Sequence, residues 1–212
     1  GIGKPYDPVA NQGVVGRNYA YTAYGKVSLF FEDKSFNHFM GGGGIGMEID
    51  EFNGDNFDHA GLDFFGGAYF GANSSGNLPI KSHPVPPGTP HWGSAWKKAV
   101  AHYYDRSFQI AVHGSCQSYR TNYLDLDPTY RDAHGLPLLR MTFDRHDNER
   151  RMSAYTTAKA AEIAKAMGPS KMSAVPVSHK YSITNYQSTH NCGGVVMGPD
   201  PATSVVNKYL QS

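Results

Sequence analysis

The sequence predicts an α+β fold, a largely antiparallel sheet with flanking helices. Three observations carry this. Apolar residues alternate in several short runs, the signature of half-buried strands. Two longer stretches repeat instead at helical spacing. Runs and stretches come in mixed order, without the regular strand–helix alternation of a parallel sheet.

Residues 1–18 are rich in Gly, Pro and Asn and read as an irregular entry segment. Val27, Leu29 and Phe31 then alternate, which predicts a strand over 26–32. GGGGIG at 41–46 is too flexible for a regular element; it suits a bulge or a close backbone approach. EIDEFNGDNFDH at 48–59 contains Asn53-Gly54, a tight-turn pair. LDFFGGAYF at 62–70 reads as an apolar strand broken by two glycines, and GNLPIKSHPVPPGTP at 76–90 as a polar, proline-rich loop. Thr89-Pro90 has the pattern of an N-cap followed by a first-turn proline. Trp92, Trp96, Val100 and Tyr103 follow at helical spacing, so a helix is expected over 90–105. Phe108, Ile110 and Val112 alternate as a strand; His113 then falls on its opposite face, where sheet packing and a substrate contact are both open. Leu139, Met141 and Phe143 alternate likewise, with Arg140 and Thr142 on the other face. Asp144 or Asp147 is the expected cap of a second helix, with Met152, Tyr155, Ile163 and Met167 on one side, and Gly168-Pro169 ends it.

The 212 residues are 40% apolar and 17% charged, a globular balance that is neither disordered nor membrane-spanning. With a net charge of +1 and no basic run, the chain is a poor match for nucleic acid. The 27 aromatic residues (14 Tyr, 11 Phe, 2 Trp) suit sugar-binding surfaces as well as cores. Cys116 and Cys192 form no CxxC; they permit one disulfide without requiring it. No HExxH or paired histidines on a helix point to a metal, and the acids around Gly54 miss the calcium-loop spacing. Neither GGGGIG nor the opening GIG has the strand before and helix after that a dinucleotide fingerprint needs. HGSC at 113–116 lacks a nucleophile elbow. Asp125, Asp127 and Asp144 have no spacing that pairs them as glycosidase carboxylates.

His190 stands apart. It follows the polar run YSITNYQST and precedes Gly193-Gly194, two residues that let backbone approach a flat ligand. A free imidazole titrates near neutrality, at about 6.5, which suits it to accept a hydroxyl proton. On the residues alone, a hydrogen-bonded structural histidine is the favoured reading.

The motifs taken together resemble the glucose–methanol–choline (GMC) flavoprotein oxidoreductases over nearly the whole chain. GIG at the start is similar to the tail of a family signature ending Ser-Gly-Ile-Gly. GVVGRNYAYT at 13–22 resembles Val-Gly-x-Asn-Leu-x-Asp-His, with Gly16 and Asn18 in place and Tyr-Ala-Tyr replacing the rest. THNCGGVVMGPDPATSVVNKYLQS resembles His-x-x-Gly-Thr-x-x-Met-Gly…Asp-Pro…Ser-Val-Val-Asp; His190, Gly193, Met197 and Gly198 fall in register, and Gly194 stands where Thr is usual. FNGDNFDH, NYLDLDPTY and GLPLLRMTFD are most similar to the flavoprotein subunits of bacterial membrane-bound dehydrogenases, those oxidising gluconate foremost, with fructose, sorbitol and 2-ketogluconate enzymes close by.

The resemblance implies a substrate-binding domain whose Rossmann FAD-binding part is missing, so the chain is expected to be a fragment that does not itself retain FAD. It implies an entry segment from the FAD domain at 1–25, the substrate-binding domain at 26–187, and the start of a catalytic, FAD-contacting segment at 188–212. It gives His190 the role of base as hydride passes from a carbinol carbon to flavin N5. Asn191, Gly193 and Gly194 are then expected against the cofactor. Among Arg140, Arg145, Lys180, Asn185, Tyr186 and Gln187, the pair Asn185 and Gln187, nearest His190, is expected to bind a sugar acid or polyol. A cytochrome c subunit and a small subunit are the expected partners, in the periplasm, with the membrane reached through a partner. A non-catalytic carbohydrate-binding domain is the alternative from a different class.

Overall fold

The computed structural model describes residues 3–36, 46–73, 84–177, 181–182 and 189–212. Its elements are β1 Ala20–Tyr21, β2 Ala23–Phe30, β3 Gly46–Ile49, β4 Ala68–Asn73, α1 Gly93–Tyr103, β5 Ser107–Gly114, β6 Tyr123–Arg131, β7 Pro137–Thr142, α2 Asp147–Ala166, β8 Lys171–Val175 and β9 Asn191–Cys192. All pairings between these strands are antiparallel, in keeping with the α+β class. Residues 41–45 of GGGGIG and 76–83 of the proline-rich loop lie outside the described residues.

The chain packs as two compact units: Gly1–Thr22 with Cys116–His146 and His179–Ser212, and Ala23–Ser115 with Asp147–Ser178. These contact units cut the chain at other points than the division expected from the sequence, at 1–25, 26–187 and 188–212.

The unit built on Ala23–Ser115 holds a five-stranded sheet in the order β3-β4-β5-β2-β8. Its inner face is the expected alternation: Val27 and Leu29 of β2, Ala68 and Phe70 of β4, and Ile110 and Val112 of β5 bury together. Burying side chains of this size removes them from water at a gain of about 1.5–3 kcal/mol each. Helix α2 covers this face with small residues. Ser153, Thr156, Thr157, Ala160 and Ala164 are fully buried, while Tyr155, Ile163 and Met167 sit half-buried beside them. Of the expected apolar stripe, only Met152 lies in the buried strip. The helix can come this close because Gly25 of β2 faces it; a Cβ there would stand 2.5 Å from Thr157 Oγ1. The buried hydroxyls have local work: Thr156 Oγ1 donates to the Met152 carbonyl at 2.8 Å, and Ser153 Oγ accepts from the Val177 amide at 2.9 Å.

Helix α1 starts later than its sequence pattern suggests. Thr89 Oγ1 donates to the Pro86 carbonyl at 2.7 Å, closing the preceding turn, and so does not cap the helix. Trp92 holds the N-cap position with no side-chain bond and is 84% exposed; Tyr103 alone of this helix is buried. Its ring packs edge-on to Phe30 at 5.3 Å. Glu32 fastens the far end of α1, accepting from Tyr103 Oη at 2.6 Å and standing 2.7 Å from His102 Nε2. Those two contacts hold the Glu32 carboxyl below its ordinary range.

The expected strand at 62–70 begins only at Ala68, after both glycines. A Cβ on Gly67 would lie 2.1 Å from the Phe52 carbonyl oxygen, and that carbonyl accepts from the Ala68 amide at 2.7 Å. Asn53-Gly54 opens a 3-10 turn over Gly54–Asn56 rather than a two-residue hairpin. Aromatic contacts pin this long connection: Phe52 stacks on Phe70, and Phe57 on Tyr155. His59 Nε2 lies 2.7 Å from the Gly66 carbonyl.

If Gly25 sets the helix–sheet spacing, Gly25→Val should destabilise this unit by about 1–3 kcal/mol through overpacking. Gly71→Ala, on the other face, places its Cβ at ordinary contact distance (3.6 Å from His113 Nε2) and should cost far less. Urea-unfolding midpoints of the two variants check the contrast.

Candidate functional site

His190 lies in the other unit, just before β9. Residues 16–21 form a central rib there, flanked by backbone on both sides. On one side the Leu124 amide donates to the Gly16 carbonyl at 2.8 Å and the Tyr19 amide to the Asn122 carbonyl at 2.9 Å. On the other, the Gly16 amide donates to the Gly194 carbonyl at 2.7 Å and the Gly194 amide to the Arg17 carbonyl at 3.1 Å. Beyond them β1 pairs with β9, Ala20 opposite Cys192 and Tyr21 opposite Asn191.

Two glycines make these approaches possible. Gly16 has φ +96°, and a Cβ on it would stand 2.0 Å from the Leu124 carbonyl oxygen. Gly193 has φ +69°, and its Cβ would stand 1.9 Å from the Asn18 carbonyl oxygen. Asn18 also takes a left-handed conformation, φ +58°, which asparagine tolerates well. Gly194, at φ +72°, is open: its nearest neighbour would be Leu124 Cδ1 at 3.5 Å.

His190 has φ +66° and is exposed. Left-handed backbone costs an L-residue about 1–2 kcal/mol, a burden met here by the strand bonds that follow it. Its carbonyl accepts from Cys192 Sγ at 3.7 Å. Cys116 and Cys192 form no disulfide.

Asn191, Gly193 and Gly194, the residues singled out for the cofactor, border one cleft of about 580 Å³. One wall is the apolar face of the β6–β7 hairpin, where Leu124 pairs with Met141 and Leu126 with Leu139. Pro5, Val15 and Val195 add apolar surface. Tyr19 and Asn191 form a polar edge, the phenol donating to Asn191 Oδ1 at 2.5 Å. His190 adjoins the cleft in sequence but is not among its lining residues. Sequence reasoning missed the hairpin wall, although its signal is the Leu124–Leu126 and Leu139–Met141 alternation.

The substrate candidates divide. Asn185 and Gln187, with Lys180 and Tyr186, lie outside the described residues. Arg140 grips Asp125 with a two-pronged fork, Nε to Oδ1 at 2.8 Å and Nη2 to Oδ2 at 2.5 Å. The Asp125 carboxylate holds this guanidinium above its ordinary range. Arg145 is half-buried, 5.5 Å above the Tyr181 ring, and burial lowers it below the ordinary guanidinium range. Phe143, beside it in sequence, takes edge contacts from Tyr19, Tyr21 and Tyr181.

Asn122 ties these parts together. It is buried, donates through Nδ2 to the Asp144 carbonyl at 2.9 Å, and accepts at Oδ1 from the Asp144 amide at 3.0 Å. Asp144 Oδ1 in turn accepts from the Tyr181 amide at 3.0 Å. Among the described residues no group of three or more His, Cys, Asp or Glu could hold a metal ion. No described helix is long and apolar enough to cross a membrane.

Comparison with known proteins places this arrangement. Residues 118–212 match the model of the GMC oxidoreductase family. That segment belongs to the GMC oxidoreductases. The whole chain is also 49% identical, over 216 aligned positions, to the gluconate 2-dehydrogenase flavoprotein of Pantoea cypripedii, and spans 35% of that protein's length. It is 36% identical over 91 residues, 43% of the chain and 15% of the relative, to the fructose dehydrogenase large subunit of Gluconobacter japonicus. It is 27% identical over 121 residues, 57% of the chain and 21% of the relative, to the 2-methyl-1,2-propanediol dehydrogenase of Mycolicibacterium austroafricanum. Gly193, within the matched segment, and Gly16 both have a backbone reason, because a Cβ on either would meet a carbonyl oxygen of the same chain.

The cleft fits part of a flavin cofactor. Apolar walls with a short polar edge suit a flat, largely apolar ring, and the open Cα of Gly194 leaves space beside one. The described residues hold no glycine-rich strand–loop–helix to carry a diphosphate.

Asn122→Ala should lower stability by about 1–3 kcal/mol for each buried Asp144 group it leaves unmatched. Chemical denaturation measures the loss. Gly193→Ala should disrupt the β1–β9 pairing more severely than Gly194→Ala, because only the first drives a Cβ into backbone. Limited proteolysis near residues 188–195 reads the difference; equal sensitivity would refute the backbone reason given for Gly193.

Proposed function

We propose that the chain is part of an FAD-dependent dehydrogenase that oxidises a CH–OH group of a sugar acid, gluconate to 2-ketogluconate. The supporting observation is the 49% identity to the gluconate 2-dehydrogenase flavoprotein over every residue of the chain. The dehydrogenase relatives favour an enzyme over a non-catalytic carbohydrate-binding domain. The similarity to the fructose enzyme keeps another sugar or polyol as the second reading.

The chemistry asks for a base beside the hydroxyl. A carbinol carbon gives up hydride readily only as its O–H proton leaves, and a base within hydrogen-bond reach couples the two events. His190 takes that proton, and the β1–β9 pairing after it holds the backbone that carries the imidazole. FAD, when bound, supplies the hydride acceptor at flavin N5. Asn191 and Gly194 would hold one edge of it at the cleft, with Tyr19 fixing the Asn191 amide and Gly193 seating the backbone between them. Asn185 and Gln187 bind the hydroxyls of the substrate. The protein works in the periplasm with a cytochrome c subunit as electron acceptor and a small subunit beside it, and it reaches the membrane through a partner. The name of the fructose relative, a large subunit, accords with such an assembly.

His190→Ala in the full-length flavoprotein should lower turnover of gluconate by about 10²–10⁴-fold, the range that general-base catalysis contributes. The bound flavin spectrum should stay unchanged. Turnover close to that of the unmodified enzyme would rule out the base role.

A further inference from the structure

One buried phenol has its partner far along the chain. Tyr19 is buried, its amide donates to the Asn122 carbonyl at 2.9 Å, and its ring lies edge-on to Phe143 at 5.7 Å. Its hydroxyl donates to Asn191 Oδ1 at 2.5 Å, across 172 positions of sequence. Asn191 is exposed at the cleft, and its backbone pairs with Tyr21. Each of the two side chains therefore leaves a backbone that is itself bonded in place.

The direction of this bond matters. A side-chain amide presents an acceptor at one end and two N–H donors at the other. With Oδ1 taken by the phenol, the donor end is turned away from Tyr19. A hydroxyl that donates to the oxygen also polarises the amide and strengthens its N–H groups as donors. The cleft makes this end count. Among the described residues its lining carries three polar side chains, Tyr19, Asp125 and Asn191. Tyr19 gives its proton to Asn191, and Asp125 accepts the fork of Arg140. The Asn191 amide is thus the described side chain that brings N–H donors to an otherwise apolar wall.

Such donors discriminate between redox states. A flat heterocycle that accepts hydride gains electron density, and N–H groups at its rim hold the reduced form more tightly than the oxidised one. We propose that Tyr19 is a positioning residue that sets the redox poise of the flavin through Asn191. Its hydroxyl fixes the amide with the N–H donors toward the cofactor, and so favours the reduced ring. This rests on the reading of the chain as part of an FAD-dependent dehydrogenase. It adds a residue that acts through Asn191 and not on the substrate.

The test uses the full-length flavoprotein. Spectroelectrochemical titration gives the midpoint potential of its flavin, with flavin content and thermal midpoint measured beside it. Tyr19→Phe keeps the ring against Phe143 and removes the hydroxyl. It should lower the equilibrium constant for two-electron reduction by about tenfold, a fall of about 30 mV. Asn191→Asp keeps the acceptor for Tyr19 and replaces the donors with a carboxylate oxygen, so the potential should fall at least as far. Asn191→Ala should match Tyr19→Phe, and combining the two should lower the potential no further than Asn191→Ala alone.

An unchanged potential in flavin-loaded Tyr19→Phe and Asn191→Asp overturns the positioning role. Gluconate oxidation by the unmodified protein then leaves the dehydrogenase reading intact. Shifts that add in the double variant also overturn it, because Tyr19 would be acting without Asn191. So does a loss of flavin or of thermal stability in place of a shift, which would mark the bond as packing. Expected shifts in a protein that does not oxidise gluconate support the role of Tyr19 and sink the reaction. A full-length protein that takes up no FAD overturns both.

Discussion

The carbonyl oxygen of Asn18 and the missing Cβ of Gly193 set the constraint on which the histidine's surroundings depend. Three backbones run side by side through 16–21, 122–124 and 191–194, and at two points they come closer than any side chain allows. Only glycine satisfies both points, since each also requires a positive φ. Once the ribs are seated, β1 and β9 pair, Tyr19 reaches Asn191, and His190 is left in a left-handed conformation immediately before the bonded strand. The strain at His190 is local, and the bonds that offset it are spread over the neighbouring ribs. The expectation that the glycine pair serves a ligand therefore divides in two. Gly193 answers to its own chain, and Gly194, which opens on the cleft, is the one with room for something else.

The sheet unit depends on a related economy of volume. A helix packs closely on a sheet when the strip between them is small, and α2 supplies Ser, Thr and Ala where it meets Gly25. The Thr156 and Ser153 hydroxyls cost little because each bonds a nearby backbone group, whereas Thr157 Oγ1, against Gly25, is buried without a hydrogen-bond partner among the described residues. Small residues on α2 bring its backbone close, while Phe70, Leu29 and Ile110 from the strands fill the remaining volume. The large side chains of this core thus come mostly from the sheet, which is why the helix carries so faint an apolar stripe in its sequence.

Legibility in the sequence followed burial. Strands β2 and β5 were readable because one face of each is fully buried, and the period of two survives intact. The end of α2 was readable from Gly168-Pro169; at its start Asp147 is the first helical residue, an acid in the first turn rather than the cap. Strand β8 gave little signal because its pattern is half-exposed throughout, as an edge strand's is. Strand β6 was hidden by Asp127-Pro128, where the register with β7 shifts. Helix α1 was misplaced at its start because Thr89 serves the turn before it, a competition among hydrogen-bond partners that spacing alone does not reveal. For the site, His190 stood out only through its motif. Nothing local in HNCGG states that its glycine faces Asn18, which is 175 positions earlier.

The same reasoning separates histidines that look alike in sequence. His59 has a ring nitrogen 2.7 Å from the Gly66 carbonyl within its own connection, and His102 has one against Glu32 on an exposed surface. Both are accounted for by structure. His113 is held between two tyrosines, Tyr69 stacked face to face on its ring at 4.6 Å and Tyr24 edge-on at 4.9 Å. All three rings are set by contacts made far along the chain or within a long connection, none of which local sequence states. His190 differs from them in its backbone: it is exposed and left-handed, and what fixes it is the glycine-mediated approach of the ribs that follow it.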